Sequence, residues 1–217
     1  MTLELHPDIL LTAAHLADEV YSTGTEVDDL CYLVSVQGGI AYLAIRGTHN
    51  AINVIRDLRV FPPAVTPSGC LGHRGVISGY RKLIKAGILN DIPKGPPLVI
   101  AGHSLGGGLA LPFAERFGCP VVTFGAMAVY LRGMAPKLDH YRIVNDDDPV
   151  QFLPGVFHTH DCKPRINFRD RDREWLNVED HGMKLYISRL EKRLSNTGAA
   201  RRRPMSKWRS SAELLCL

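Results

Sequence analysis

The segment "VIAGHSLGGGLA", residues 99–110, constrains the fold of this chain more than any other. It places Ser104 among four glycines, behind the apolar residues Val99, Ile100 and Ala101 and ahead of a further apolar run. Gly102-His103-Ser104-Leu105-Gly106 matches G-x-S-x-G where a buried strand is expected to turn straight into a helix, the setting of a nucleophile elbow. In that turn the serine takes strained backbone angles so that its Oγ clears the sheet. Side chains two residues to either side would strike neighbouring backbone, which explains both flanking glycines. A phosphate-binding loop is the competing reading of such glycines. It fails because Gly102 to Gly107 is followed by Gly108 and not by Lys, and because G-x-G-x-x-G is absent.

The surrounding sequence is read as one domain. A chain of 217 residues with 45% hydrophobic content suits a single sizeable core, and residues 1–196 are assigned to it. The five cysteines are scattered, odd in number and without a C-x-x-C pair, so reduced thiols are expected and not a disulfide framework or zinc ribbon. The start, "MTLELHPDIL", has no basic n-region, and Ile9-Leu10-Leu11 is too short for a signal core or a membrane span, so the expected location is cytoplasmic. The formal charge of +4 lies wholly in residues 197–217, with five basic side chains and one acid. That tail is expected to be disordered. Trp208 between Lys207 and Arg209 gives it a possible role as a weak anchor on anionic membrane. The body balances 21 basic against 21 acidic groups, and no nucleic-acid partner is expected. The oligomeric state is not legible.

Periodicity supplies the elements. Leu10, Ala13, Leu16, Ala17 and Val20 lie at helical spacing, with Asp8 near the start. "CYLVSVQGGIAYLAIRGT" reads as a hairpin turning at Gln37-Gly38-Gly39, its second strand ending at Arg46. A short helix around residues 50–58, a Pro-rich loop "VFPPAVTPSGCLG" and a helix from Arg74 to Leu89 follow. "PLVIA", "PVVTF" and "YRIVN" then read as buried parallel strands, "PRINF" as a further strand, and residues 180–194 as a last helix. The predicted fold class is α/β: a central, mostly parallel sheet flanked by helices, with an N-terminal hairpin. Pro112 falls inside the helix expected after the elbow, where a kink or a short helix is anticipated.

A serine hydroxyl needs a base to take its proton and an acid to orient that base. In the order Ser, Asp or Glu, His, "YRIVNDDDPVQFLP" offers Asp146, Asp147 and Asp148, and "NVEDHGMKLY" offers His181. His158 and His160 also follow the aspartates, and they alternate with Cys162 in a spacing that hints weakly at a metal; a surface strand is the plainer reading. His103 and His73 are read as packing or structural residues.

These segments, with "AIRGTHN", "GHRGVISGY" and "VVTFGAMAV", resemble in order those of the class 3 lipases, the fungal-triacylglycerol-lipase-like branch of the α/β hydrolases. The resemblance runs from the first helix to about Leu194. It implies Ser104 as nucleophile, Asp148, directly before Pro-Val, as triad acid, and His181 as general base. Arg46-Gly47-Thr48 matches the family's Arg-Gly-Ser/Thr segment and implies an oxyanion hole from the backbone N–H groups of Thr48 and Leu105. The implied activity is hydrolysis of carboxylic esters of acylglycerol or related lipid type, without metal or organic cofactor. A phospholipase A1, a small-ester esterase or a catalytically silent scaffold are the alternatives. "HNAINVIRDLRV", where fungal relatives carry a lid, lacks Trp and is only modestly apolar, which suits smaller or more soluble esters.

Overall fold

The computed structural model describes residues 5–47, 62–155, 157–168 and 181–196. The short helix expected around residues 50–58 and the basic tail from residue 197 lie outside them. Helix α1 (Pro7–Thr23) starts from His6, whose ring accepts the Asp8 N–H, and buries Leu10, Ala13, Leu16, Ala17 and Val20 as their spacing predicts. Strands β1 (Thr25–Val27), β2 (Leu30–Gln37) and β3 (Ile40–Ile45) form an antiparallel meander. Gly38 and Gly39 turn β2 into β3 with φ of 58° and 79°, angles that suit glycine in a two-residue hairpin turn.

Residues 62–72, expected to be irregular, hold two short strands, β4 (Ala64–Val65) and β5 (Leu71–Gly72). Helix α2 (Arg74–Lys85) is shorter than its periodicity suggests. Gly87 adopts φ 93° and starts a separate turn, α3 (Ile88–Asp91), so Ile88 reaches the core from a second element. Then come β6 (Leu98–His103), α4 (Leu105–Phe117), β7 (Val121–Phe124), β8 (Tyr130–Leu131), β9 (His140–Asn145), β10 (His158–Thr159), β11 (Ile166–Phe168) and α5 (Met183–Asn196).

The main sheet has the order β1-β2-β3-β6-β7-β9-β11, and every pairing from β3 onward is parallel. Both faces are covered. Tyr42, Ala44, Val99, Ala101, Val122, Phe124, Tyr141 and Ile143 pack toward α1 and α5. Leu43, Ile45, Ile100 and Val121 pack toward α2, α3 and α4. This accounts for the near-continuous apolar runs of the central strands. A second small sheet, β10-β8-β5-β4, folds over the side of α4. Tyr130 on β8 ties it to that helix by donating to Glu115 Oε1 at 2.7 Å. Among the described residues no helix is long and apolar enough to cross a membrane.

Parallel order sets all the strand ends that matter on one edge. Ile45, His103, Phe124 and Asn145 terminate β3, β6, β7 and β9 together, and the crevice beyond such ends is where α/β folds place their chemistry.

Candidate active site

One residue, Ser104, separates β6 from α4. Its φ of 59° and ψ of −126° lie in a region that residues with a Cβ avoid, and only Asp28 shares a positive φ among the described non-glycine residues. The strain is held by the packing on either side. A Cβ on Gly106 would collide with the carbonyl oxygen of Ile45, and one on Gly102 would come within 2.6 Å of the Gly106 carbonyl carbon. Helix α4 therefore lies directly against the backbone of β3 and β6. Gly106 leaves no side chain between the first turn of the helix and the end of β3, while Gly107 and Gly108 make room for Ala126 and for Met127 and Val129. The helix continues through Pro112 to Phe117, so it is not cut short there. The ring costs the bond that Gly108 O would have received, in a helix whose residues Leu105 to Ala114 are all buried.

Asp148 lies just past the end of β9 and caps the 3₁₀ turn Pro149–Phe152, its Oδ1 accepting the Val150 N–H at 2.9 Å. The other oxygen, Oδ2, accepts from His181 Nδ1 at 2.8 Å and from the Tyr186 hydroxyl at 2.6 Å. Asp148 is fully buried, whereas Asp146 is exposed and bonded to Asn167 Nδ2 and Asp147 is half-buried. Of the three consecutive aspartates, the third faces inward. Gly125, at φ 52° after β7, leaves the space for this cluster. A Cβ there would collide with Asp148 Oδ2 and stand 2.8 Å from the Tyr186 oxygen and 3.1 Å from His181 Nδ1. Ser104 is anchored at the same place, because its N–H donates to Phe124 O, one residue before Gly125.

With Nδ1–H given to Asp148, Nε2 is the His181 ring atom left to face Ser104. That atom and Ser104 Oγ are both buried without a hydrogen-bond partner, and they do not bond to each other in this state. Such distances commonly close only once substrate binds.

The Lipase (class 3) profile matches residues 42–158, more than half of the chain. The chain belongs to the class 3 lipases. This lipase is accordingly a carboxylic ester hydrolase of the α/β-hydrolase fold. Its structure is similar to Rhizomucor miehei triacylglyceride lipase (21% identity, 70% of this chain and 77% of that one, TM-score 0.56). Yarrowia lipolytica Lip2 lipase matches at 20% identity over 80% and 82% of the two chains, with a TM-score of 0.55. A triacylglycerol lipase described as having a serine-protease triad for its catalytic centre matches at 20% over 80% and 92%, with a TM-score of 0.57. At these identities the likeness establishes the fold. No curated protein sequence matches this one.

His181 is held from a second direction that sequence reasoning did not find. His103 Nε2–H donates to the His181 carbonyl oxygen at 2.7 Å, and the Tyr21 hydroxyl donates to His103 Nδ1 at 2.8 Å. The Tyr21 oxygen in turn takes the Gly47 backbone N–H. Burial, with the neighbouring His181 adding to it, lowers the His103 pKa to about 3, so its ring keeps one donor and one acceptor. His103 is thus more than packing. It links helix α1, the end of β3 and the segment before α5. Tyr186 had been visible only as an apolar position on the last helix. Its hydroxyl, kept protonated by burial and by the Asp148 carboxylate, also accepts the Asn145 N–H at 3.1 Å.

Leu105, the first residue of α4, is buried beside Ser104. Thr48 lies outside the described residues, but Gly47 before it is placed: a Cβ on Gly47 would be 2.9 Å from Ser104 Cβ. His73 caps α2, accepting the Val76 N–H at 3.4 Å, in keeping with its structural reading. Arg142 is a buried cation that no sequence pattern disclosed. It donates to Gln151 Oε1 at 3.3 Å and is faced by the carboxylates of Asp161 and Asp148, with the neutral Cys162 thiol and Tyr186 hydroxyl also nearby. Among the described residues, Cys31, Cys70, Cys119 and Cys162 are free thiols.

Proposed function

We propose that this lipase cleaves carboxylic esters, of acylglycerol or related lipid type, through an acyl-serine intermediate on Ser104, with His181 as general base and Asp148 as its orienting acid. The observation that carries the reading is the Asp148–His181 hydrogen bond. It commits Nδ1–H to the carboxylate, leaving a buried, unpartnered Nε2 in a site that also holds a buried, unpartnered serine hydroxyl. An unmade hydrogen bond on a buried group costs on the order of 1–3 kcal/mol, a cost that a reacting group repays when substrate arrives.

In this scheme Ser104 Oγ attacks the ester carbonyl carbon while its proton passes to His181 Nε2. The carbonyl oxygen, now an oxyanion, takes the backbone N–H groups of Leu105 and Thr48. His181 then gives its proton to the departing alkoxide, and the alcohol leaves the acyl-serine. Water attacks the acyl-serine in the second half, its proton again going to Nε2. The carboxylic acid is released as the proton returns to Ser104. The similar triacylglycerol lipase with a serine-protease triad supports this assignment by analogy. A lipid ester is favoured by the class 3 lipase family match.

A fluorophosphonate probe tests the proposal. The wild-type chain is expected to be labelled on Ser104, and Ser104→Ala to be unlabelled while still folded. A folded wild type that resists labelling would overturn the reading in favour of a silent scaffold. Nitrophenyl acyl esters of graded length extend the test to substrate. Turnover of long chains supports a lipid ester, and activity confined to the shortest acyl groups would replace it with a small-ester esterase.

A further inference from the structure

The histidine-rich segment "HTHDC", residues 158–162, plays no part in the scheme above. The metal-like trio at which its spacing weakly hints does not assemble: the His158 ring faces His73 at 5.5 Å, and His160 Nε2–H donates to Gln151 O at 2.9 Å. The structure instead brings Asp161 and Cys162 to His140, the first residue of β9. Their ligand atoms all lie within 4.8 Å of one another, and this is the one such group of three found among the described residues. It stands at the opposite end of β9 from Asp148.

We propose that His140 Nδ1, the Asp161 carboxylate and Cys162 Sγ form a binding site for a divalent transition metal of the zinc class. An imidazole, a carboxylate and a thiolate together suit a borderline-soft ion better than Mg²⁺ or Ca²⁺. The His140 and Asp161 side chains are 0% and 1% exposed, and Asp161 Oδ2 has no hydrogen-bond partner, so a buried anionic oxygen is available for coordination. Cys162 is only half-buried, so an ion can approach the site from its side. On the far side of the ring, His140 Nε2 lies 2.7 Å from Thr123 Oγ1, the outer hydrogen bond that orients a metal-binding imidazole.

The proton count closes. As the structure stands, His140 Nδ1 is 2.7 Å from Asp161 Oδ1 and donates to it. When an ion takes Nδ1, that proton is carried by Nε2 instead and the Thr123 hydroxyl turns from donor to acceptor. A cysteine ligates as the thiolate, so the ion displaces the Cys162 proton and one proton is released per ion bound. Thiolate and carboxylate then cancel the charge of the ion, which leaves the adjacent Arg142 beside a neutral group.

The test is Co²⁺ titration of the tag-free, chelator-treated full chain. The expected result is a thiolate-to-metal charge-transfer band that saturates at one ion per chain and is displaced by Zn²⁺. Cys162→Ser should abolish the band, Asp161→Asn should weaken binding about 10–100-fold, and Cys119→Ser should leave it unchanged. Absence of the band in the wild type, or its persistence in Cys162→Ser, overturns the proposal. If the variants fail to fold, the wild type decides alone: Zn²⁺ should raise its unfolding midpoint and release one proton per ion, and no shift at saturating Zn²⁺ overturns the site.

Discussion

Replacing Ser104 by glycine should make the protein more stable while removing its activity. The native φ of 59° and ψ of −126° cost a residue bearing a Cβ about 1–3 kcal/mol, which glycine is spared. Glycine also removes a hydroxyl that is buried without a partner, a relief of about 1 kcal/mol or more. Against these stands the greater freedom of glycine in the unfolded chain, about 0.5–1 kcal/mol. The balance is a gain of about 2 kcal/mol. Ser104→Ala sheds only the hydroxyl and keeps the strain, for about 1 kcal/mol. In a chain of this size each kcal/mol moves the melting temperature by about 2–4 °C. Calorimetric midpoints should therefore rise in the order Ser, Ala, Gly, the glycine variant melting about 4–8 °C above the wild type. A glycine variant less stable than either of the others would refute the claim that the packing of α4 on β3 and β6 holds Ser104 under strain.

Tyr186→Phe removes a charge-assisted hydrogen bond to Asp148 and the acceptor of the Asn145 N–H. It should lower stability by about 2–4 kcal/mol and reduce kcat about tenfold with KM unchanged; a rise in KM with unaltered kcat would place the hydroxyl outside the proton relay. Gly125→Ala drives a methyl group into Asp148 Oδ2 at a positive φ, and both ester hydrolysis and fluorophosphonate labelling should fall at least 100-fold; near wild-type labelling would contradict the geometry. Burial lowers the pKa of His103 to about 3 and those of His73 and His160 to about 4, so the unfolded chain binds more protons at these positions below its ordinary value near 6.5. Stability should hold above about pH 6.5 and fall as the pH drops from there toward 4, by on the order of 2 kcal/mol per histidine at pH 5. Denaturant midpoints that stay flat between pH 7 and 5 would show these rings to be hydrated.

What the sequence disclosed follows from how each residue is used. The central strands are buried on both faces, so their apolar runs were plain, and the Ser104 elbow was plain because backbone contact on both sides demands glycine. Two-residue strands such as β4 and β5 have no period to detect, and the break at Gly87 is a left-handed residue inside an otherwise continuous helical pattern. At the site, order along the chain offers three aspartates and His181, and the family resemblance singles out Asp148, the one whose carboxylate lies against His181. Tyr186, Tyr21 and Arg142 were not found, because each sits at a position that also serves as ordinary core or strand. Their polar ends meet partners 38 and 82 residues away for the first two, and such pairings are set by tertiary packing alone.

The bare contact between α4 and the sheet has a consequence for how this enzyme can change. Where main chain rests on main chain, as Gly106 does on Ile45 and Arg46, no methyl group can be traded to widen or narrow anything, and a substituent there pushes the helix off the strand ends. New acyl preferences must therefore come from the connecting segments above the strand ends, which can be lengthened or recoloured without moving the floor beneath them.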